Sequence, residues 1–131
     1  MNNEKTSIKY DWSDKVILIV EDTETSNRYF NAALKKTNAT ILWAKDGLEG
    51  VEIAKKNEKI DVILMDIHMP FMNGFEATRE IKKIRKDAVI IIQTAYVLSN
   101  EREKSFEAGC DDFIAKPINF KELLEVINRY M

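Results

Sequence analysis

The sequence predicts a single α/β domain, a three-layer sandwich of five parallel strands covered by helices on both faces. Three observations carry this. Short strand-forming runs recur at Val16–Val20, Ile41–Ala44, Val62–Met65, Val89–Ile92 and Asp112–Ala115. The earlier ones are nearly unbroken Val, Ile and Leu, as strands buried on both faces of a parallel sheet require. Each run is followed by a longer stretch of helical pattern, and strand–helix alternation with right-handed crossovers builds such a sandwich. A chain of 131 residues is long enough for one such core, burying about two-thirds of its unfolded surface.

The elements follow in order. Met1 to Asp14 is polar and reads as a tail or tether, with the domain running from Lys15 to Met131. Tyr10 and Trp12 either pack on that domain or mark the end of a linker. Val16–Val20 closes on Glu21-Asp22, an acidic pair suited to a cation, although an acidic turn has the same appearance. A helix is expected from about Glu24 to Thr37, with Phe30, Ala33 and Leu34 facing the core.

After Ile41–Ala44, Asp46 and Glu49 stand at capping-box spacing and open a helix to about Asn57. Gly50 inside it costs about 1 kcal/mol relative to Ala and reads as a local weakness. Val62–Met65 is closed by Asp66. The segment Met69-Pro70-Phe71-Met72-Asn73-Gly74 then turns the chain into another helix. Asn73, with Glu76 three residues on, is a better cap for it than Asp66. Ala77, Ile81 and Ile84 mark that helix's buried face.

Val89–Ile92 ends in Gln93-Thr94-Ala95, so a hydroxyl instead of an acid stands at this strand end. A plain β-branched strand residue is the other reading. Ser99 to Ala108 is helical in composition but poor in core residues, with Leu98 and Phe106 as its main apolar anchors. Such an element opens more cheaply than its neighbours. Gly109 terminates it. Lys116-Pro117 follows the fifth strand, and Phe120, Leu123, Leu124 and Ile127 line one face of the last helix.

Composition narrows the function. A net charge of −2 with mixed signs offers no basic field for nucleic acid. No apolar run approaches the roughly 20 residues that span a bilayer, and the N-terminus lacks a signal-peptide core. Cys110 is the one cysteine, which fits a reducing cytosol and a packing role. A cytoplasmic domain is expected.

The strand order expected for five such repeats is the flavodoxin-like 2-1-3-4-5. It sets the ends of the first and third strands side by side, so Glu21, Asp22 and Asp66 converge. Crowded carboxylates repel, and a divalent cation relieves them. Mg²⁺ suits the set, since it takes a few carboxylates, keeps waters and leaves room for a phosphoryl oxygen. Thr94 and Lys116 add a hydroxyl and an ammonium. Together these residues describe a phosphoryl site centred on a nucleophilic Asp66.

Glu21-Asp22, Asp66 with its M-P-x-M-x-G follow-on, Thr94-Ala95 and Lys116-Pro117 are the residues by which the chain resembles response-regulator receiver domains, from Lys15 to Met131. The resemblance implies that Asp66 takes a phosphoryl group from a phosphohistidine on a sensor histidine kinase or histidine phosphotransfer protein. Mg²⁺ would be held by Asp22, Asp66 and the backbone carbonyl of His68, with Glu21 acting largely through a bound water. Lys116 would pair with the phosphoryl group. Thr94 would gain there a partner it lacks at rest, and Phe113, at the switch-aromatic position, would turn inward. Receivers also use a cis bond at the position of Lys116–Pro117.

His68 is expected to offer only its carbonyl, from an exposed side chain. Tyr96 either shields the phosphoryl group or is an ordinary surface tyrosine. Ser26 stands where receivers of hybrid kinases often carry Asn, whereas Tyr10-Asp11-Trp12-Ser13 resembles the tether before their terminal receiver. The implied role is a phosphoacceptor signalling domain, not an enzyme, stand-alone or cut from a longer chain such as a membrane-anchored kinase. A dimer that forms on phosphorylation is compatible with it. The rival readings are an Asp-nucleophile phosphohydrolase, which would want D-x-D where Asp66-Ile67-His68 stands, and an inert receiver-like interaction domain. The output face implied is that of the Ser99–Ala108 helix, the fifth strand and the last helix.

Overall fold

A computed structural model describes residues 10–94 and 100–131. The chain runs β1 (Val16–Val20), α1 (Glu24–Leu34), β2 (Thr40–Ala44), α2 (Gly47–Lys56), β3 (Val62–Asp66), α3 (Gly74–Ile84), β4 (Ile90–Thr94), α4 (Glu101–Ala108), β5 (Asp112–Ala115) and α5 (Phe120–Asn128). All strand pairs are parallel, and the sheet order is β2-β1-β3-β4-β5, as expected. Ala95, Tyr96, Leu98 and Ser99 lie outside the described residues, as does the tail before Tyr10. Among the described residues no helix is long and apolar enough to cross a membrane.

Strand parity divides the core. Leu18, Val20, Ile63, Met65, Ile90 and Ile92 pack with Ala54 of α2 and with Ala77 and Ile81 of α3. Their neighbours Ile17, Ile19, Val62, Leu64 and Ile91 pack with Phe30 and Leu34 of α1 and with Leu123 and Ile127 of α5. A period of two residues sends alternate side chains to opposite layers. Trp12 is buried on the α1–α5 side, its amide donating to the Thr37 carbonyl at 2.7 Å, and Tyr10 stacks on it. Both therefore pack on the domain.

The starts of α1, α2, α3 and α5 are capped by side chains, whereas that of α4 is not. Asp46 accepts from the Glu49 amide, and Asn73 and Glu76 form the reciprocal box. Thr23 and Asn119 cap α1 and α5, roles not read from the sequence. Cys110 is buried, and burial, then the charges of Asp111 and Asp112, push its thiol up to about 12.

Several sequence expectations need correction. The helix from Glu24 does not run unbroken to Thr37; it tightens into a 3₁₀ turn at Lys35–Thr37. There the Thr37 hydroxyl donates to the Leu34 carbonyl and Asn38 takes a left-handed conformation. Gly50 is a packing requirement, not a weakness. A Cβ there would stand 2.9 Å from Val20 Cγ2, so glycine lets α2 close onto β1. Ile84, Phe106 and Phe120 are exposed instead of buried. Phe106 and Phe120 meet Phe113 and Tyr29 edge-on, as surface aromatic pairs.

Candidate functional site

The parallel register brings the carboxyl ends of the strands together. Val20 is level with Met65, and Thr94 with Ala115, so the residues after β1 and β5 flank Asp66 and Thr94. One carboxylate oxygen from each of Glu21, Asp22 and Asp66 lies within 4.8 Å of the others. Asp66 is 3% exposed and Glu21 2%, whereas Asp22 faces solvent. The Lys116 ammonium stands 3.1 Å from Asp66 Oδ1.

Local chain geometry aims these groups. The Lys116–Pro117 bond is cis, as the resemblance implied, and the Lys116 amide donates to the Thr94 carbonyl at 2.7 Å. The Tyr29 hydroxyl of α1 donates to the Ile118 carbonyl and ties the next turn down. Gly74 admits the backbone of Asp66. A Cβ on it would lie 2.2 Å from the Asp66 carbonyl oxygen, and its amide donates to the Ile67 carbonyl at 2.9 Å. The M-P-x-M-x-G pattern thus has a steric reason: the loop folds back directly over the strand end.

Charge in the pocket is unevenly relieved. Glu21 Oε2 accepts from the Thr23 amide and hydroxyl, at 3.3 and 3.2 Å. Glu21 Oε1 is buried with no hydrogen-bond partner among the described residues. Burial, then the charge of Asp66, raises the Glu21 pKa above its ordinary value, against the lowering effect of Lys116 and Thr23. A buried carboxylate oxygen left unpaired beside two further carboxylates is a donor set that a hard divalent cation fits.

Two expectations change here. Thr94 is fully buried and shares strand parity with Ile90 and Ile92, so it faces the α2–α3–α4 layer. Its hydroxyl donates at 2.5 Å to Glu101 Oε1 in the first turn of α4. It therefore has a partner before any phosphorylation, contrary to expectation. His68 does more than present backbone: its ring Nε2 lies 3.2 Å from Glu101 Oε2. The side chain is exposed as expected, but Glu101 reaches back across the β3–α3 loop to meet it.

Phe113 is half-buried between two α4 side chains. The guanidinium carbon of Arg102 lies 4.8 Å from its ring centroid, and the Phe106 ring meets it edge-on at 6.0 Å. Glu101, Arg102 and Thr23 were all missed in the sequence. A Thr two residues after an acid, ahead of a helix, was the legible signal for Thr23. Nothing marks Glu101 or Arg102 in a helix made largely of charged residues.

A family model described as the response regulator receiver domain matches residues 17–128. Hybrid signal transduction histidine kinase G of Dictyostelium discoideum is 44% identical over 119 residues, covering 87% of this chain but 3% of that protein. The chain thus spans only a small part of that relative. A receiver domain of a sensor histidine kinase from Pseudomonas aeruginosa PAO1, with a magnesium ion coordinated in its active-site cleft, superposes with a TM-score of 0.83. That domain is 33% identical, with 88% of this chain and 96% of the other covered. The co-crystal structure of the Saccharomyces cerevisiae histidine phosphotransfer protein Ypd1 and the receiver domain of Ssk1 matches with a TM-score of 0.84 and 26% identity. It covers 95% of this chain and 91% of the matched one.

Proposed function

Because this chain belongs to the response regulator receiver domain family, we propose that Asp66 accepts a phosphoryl group from a partner's phosphohistidine. The domain then changes conformation to pass the signal on. The observation that carries this reading is the environment of Asp66: a nearly buried carboxylate with an ammonium 3.1 Å away and two further acids beside it. An aspartate cast only as a cap or an ion-pair partner needs no such acidic surroundings.

In the transfer, an Asp66 carboxylate oxygen forms a bond to phosphorus as the P–N bond of the phosphohistidine breaks. The leaving imidazole keeps the electron pair and takes up a proton from solvent. Lys116 orients Asp66 beforehand and pairs with a phosphoryl oxygen afterwards, so negative charge gathers beside a fixed ammonium. Release is the attack of water on the same phosphorus, which returns Asp66 and inorganic phosphate. The domain assists both steps without being an enzyme in the ordinary sense.

Asp22, Asp66 and the His68 backbone carbonyl would hold Mg²⁺, with Glu21 acting largely through a bound water. The ion would supply positive charge where that of the phosphoryl oxygens accumulates. Support for this assignment is the donor chemistry, above all the unpaired Glu21 Oε1. The donor protein is a sensor histidine kinase or a histidine phosphotransfer protein, in keeping with the relatives. The domain serves in the cytosol, on its own or as the cytosolic end of a longer kinase.

Intact-mass measurement after incubation with Mg²⁺ and acetyl phosphate tests the reading. One added phosphoryl group is expected in the wild-type chain and none in Asp66→Asn. Undiminished labelling of Asp66→Asn would remove Asp66 from its role.

A further inference from the structure

We propose that the first turn of α4 is a latch on both switch side chains, with Glu101 positioning Thr94 and Arg102 positioning Phe113 in the resting state. The proposal rests on the phosphoacceptor reading of Asp66.

Thr94 has one hydroxyl proton, so it can donate to one acceptor at a time. That proton now goes to Glu101 Oε1, and a hydrogen bond accepted by a carboxylate is of the stronger charge-assisted kind. The other oxygen of the same carboxylate lies 3.2 Å from His68 Nε2, so Glu101 also reaches the loop directly after Asp66. Asp66 shares strand parity with Val62 and Leu64, and Thr94 with Ile90 and Ile92. Thr94 therefore faces α4 at rest and must leave Glu101 to serve an acceptor on Asp66.

The next residue completes the latch. Arg102 sets its guanidinium over the Phe113 ring, at 4.8 Å. Two consecutive residues of one helical turn thus hold side chains on β4 and β5, the strands beneath α4. This helix buries little of itself, Ser105 and Ala108 being its only buried residues. A phosphoryl group on Asp66 competes for the Thr94 proton and repels the Glu101 carboxylate. Loss of that contact frees the turn and, with it, the hold of Arg102 on Phe113. At rest the latch keeps the receptive state scarce, and weakening it raises that population before any phosphate arrives.

The test is the rate of Asp66 phosphorylation by acetyl phosphate with Mg²⁺, read by intact mass, in a double-mutant cycle. Glu101→Ala should accelerate the reaction about tenfold, the effect of removing one hydrogen bond to a charged group from the resting state. Against a Thr94→Ala background the same substitution should accelerate the reaction clearly less than it does alone, because the Thr94–Glu101 contact is then already absent. Glu101→Gln keeps an acceptor for Thr94 and should stay near the wild-type rate. Arg102→Ala should accelerate about threefold and raise amide exchange across Glu101–Ala108. Equal acceleration by Glu101→Ala with and without Thr94, or by Glu101→Gln, would mean that charge alone is at work and would overturn the latch. So would an unchanged rate in Glu101→Ala. Labelling that survives Asp66→Asn is a separate failure, that of the phosphoacceptor reading itself.

Discussion

The ammonium of Lys116 meets the carboxylate of Asp66 at 3.1 Å although β5 and β3 are not neighbours in the sheet. β4 lies between them, and the side chain reaches across its end from a cis turn anchored on the Thr94 carbonyl. The pair spans the crevice that any phosphoryl group on Asp66 must occupy. Lys116→Met should leave the fold intact and slow phosphorylation by roughly a hundredfold, the usual cost of removing one preorganised partner of a developing charge. Single-turnover rates with acetyl phosphate check this, and a rate within twofold of wild type would separate Lys116 from the chemistry.

Metal dependence is expected at the acidic end. Asp22→Ala should weaken Mg²⁺ binding and phosphorylation together, as titration of metal-induced stabilisation would show. Glu21 carries a pH signature as well. Its folded pKa is raised above the ordinary 4.5, so the folded chain holds this proton more tightly than the unfolded chain. Without metal, stability should therefore be greatest below 4.5 as far as this group is concerned, and fall as pH rises through the raised folded value. Glu21→Gln should remove that slope and raise the metal-free Tm at neutral pH. It should also shrink the further rise on adding Mg²⁺. An unchanged slope would show that Glu21 is not strained by its neighbours.

Gly74 is held to glycine by the strand end itself. Gly74→Ala would drive a Cβ toward the Asp66 carbonyl oxygen, to 2.2 Å if nothing moved. The backbone must shift, at a cost of about 1–3 kcal/mol, and the displaced residue is the proposed phosphoacceptor. Denaturant unfolding should show the loss of stability, and phosphorylation should slow in the same variant. Retention of both would mean that the loop yields freely.

The sites at the strand ends were legible because their signal is local. Apolar runs end at Glu21, Asp66 and Gln93-Thr94, and the strand order alone sets those ends side by side, although the Thr94 side chain turns to the other layer. Lys116 followed from the same logic. What escaped were relations between elements. Glu101 meets Thr94 because α4 lies over β4, a contact that no spacing in a charged helix encodes. Gly50 looked weak on propensity alone because Val20, the side chain it admits, is thirty residues earlier. Phe106 was read as a core anchor because its apolar surface is visible in sequence, whereas its place on the rim beside Phe113 is not.

Signal output should appear on the α4 side. On phosphorylation, amide exchange should change most across Glu101–Ala108, where few buried residues anchor the helix. It should change little across Gly47–Lys56, whose buried Gly50 and Ala54 pack on β1 and the core. Thr94→Ala should still accept phosphate but show much less of the α4 change. A larger response in α2 would place the switch on the wrong face.

An acyl phosphate on Asp66 is detected by borohydride reduction followed by peptide mass mapping. Borohydride converts an aspartyl phosphate to homoserine and leaves a free carboxylate unchanged. After phosphorylation with Mg²⁺ and acetyl phosphate, homoserine is predicted at position 66 and nowhere else, and none without the phosphodonor. Homoserine at position 21 or 22, or a stable phosphate on His68 with Asp66 untouched, would mean that Asp66 is not the acceptor.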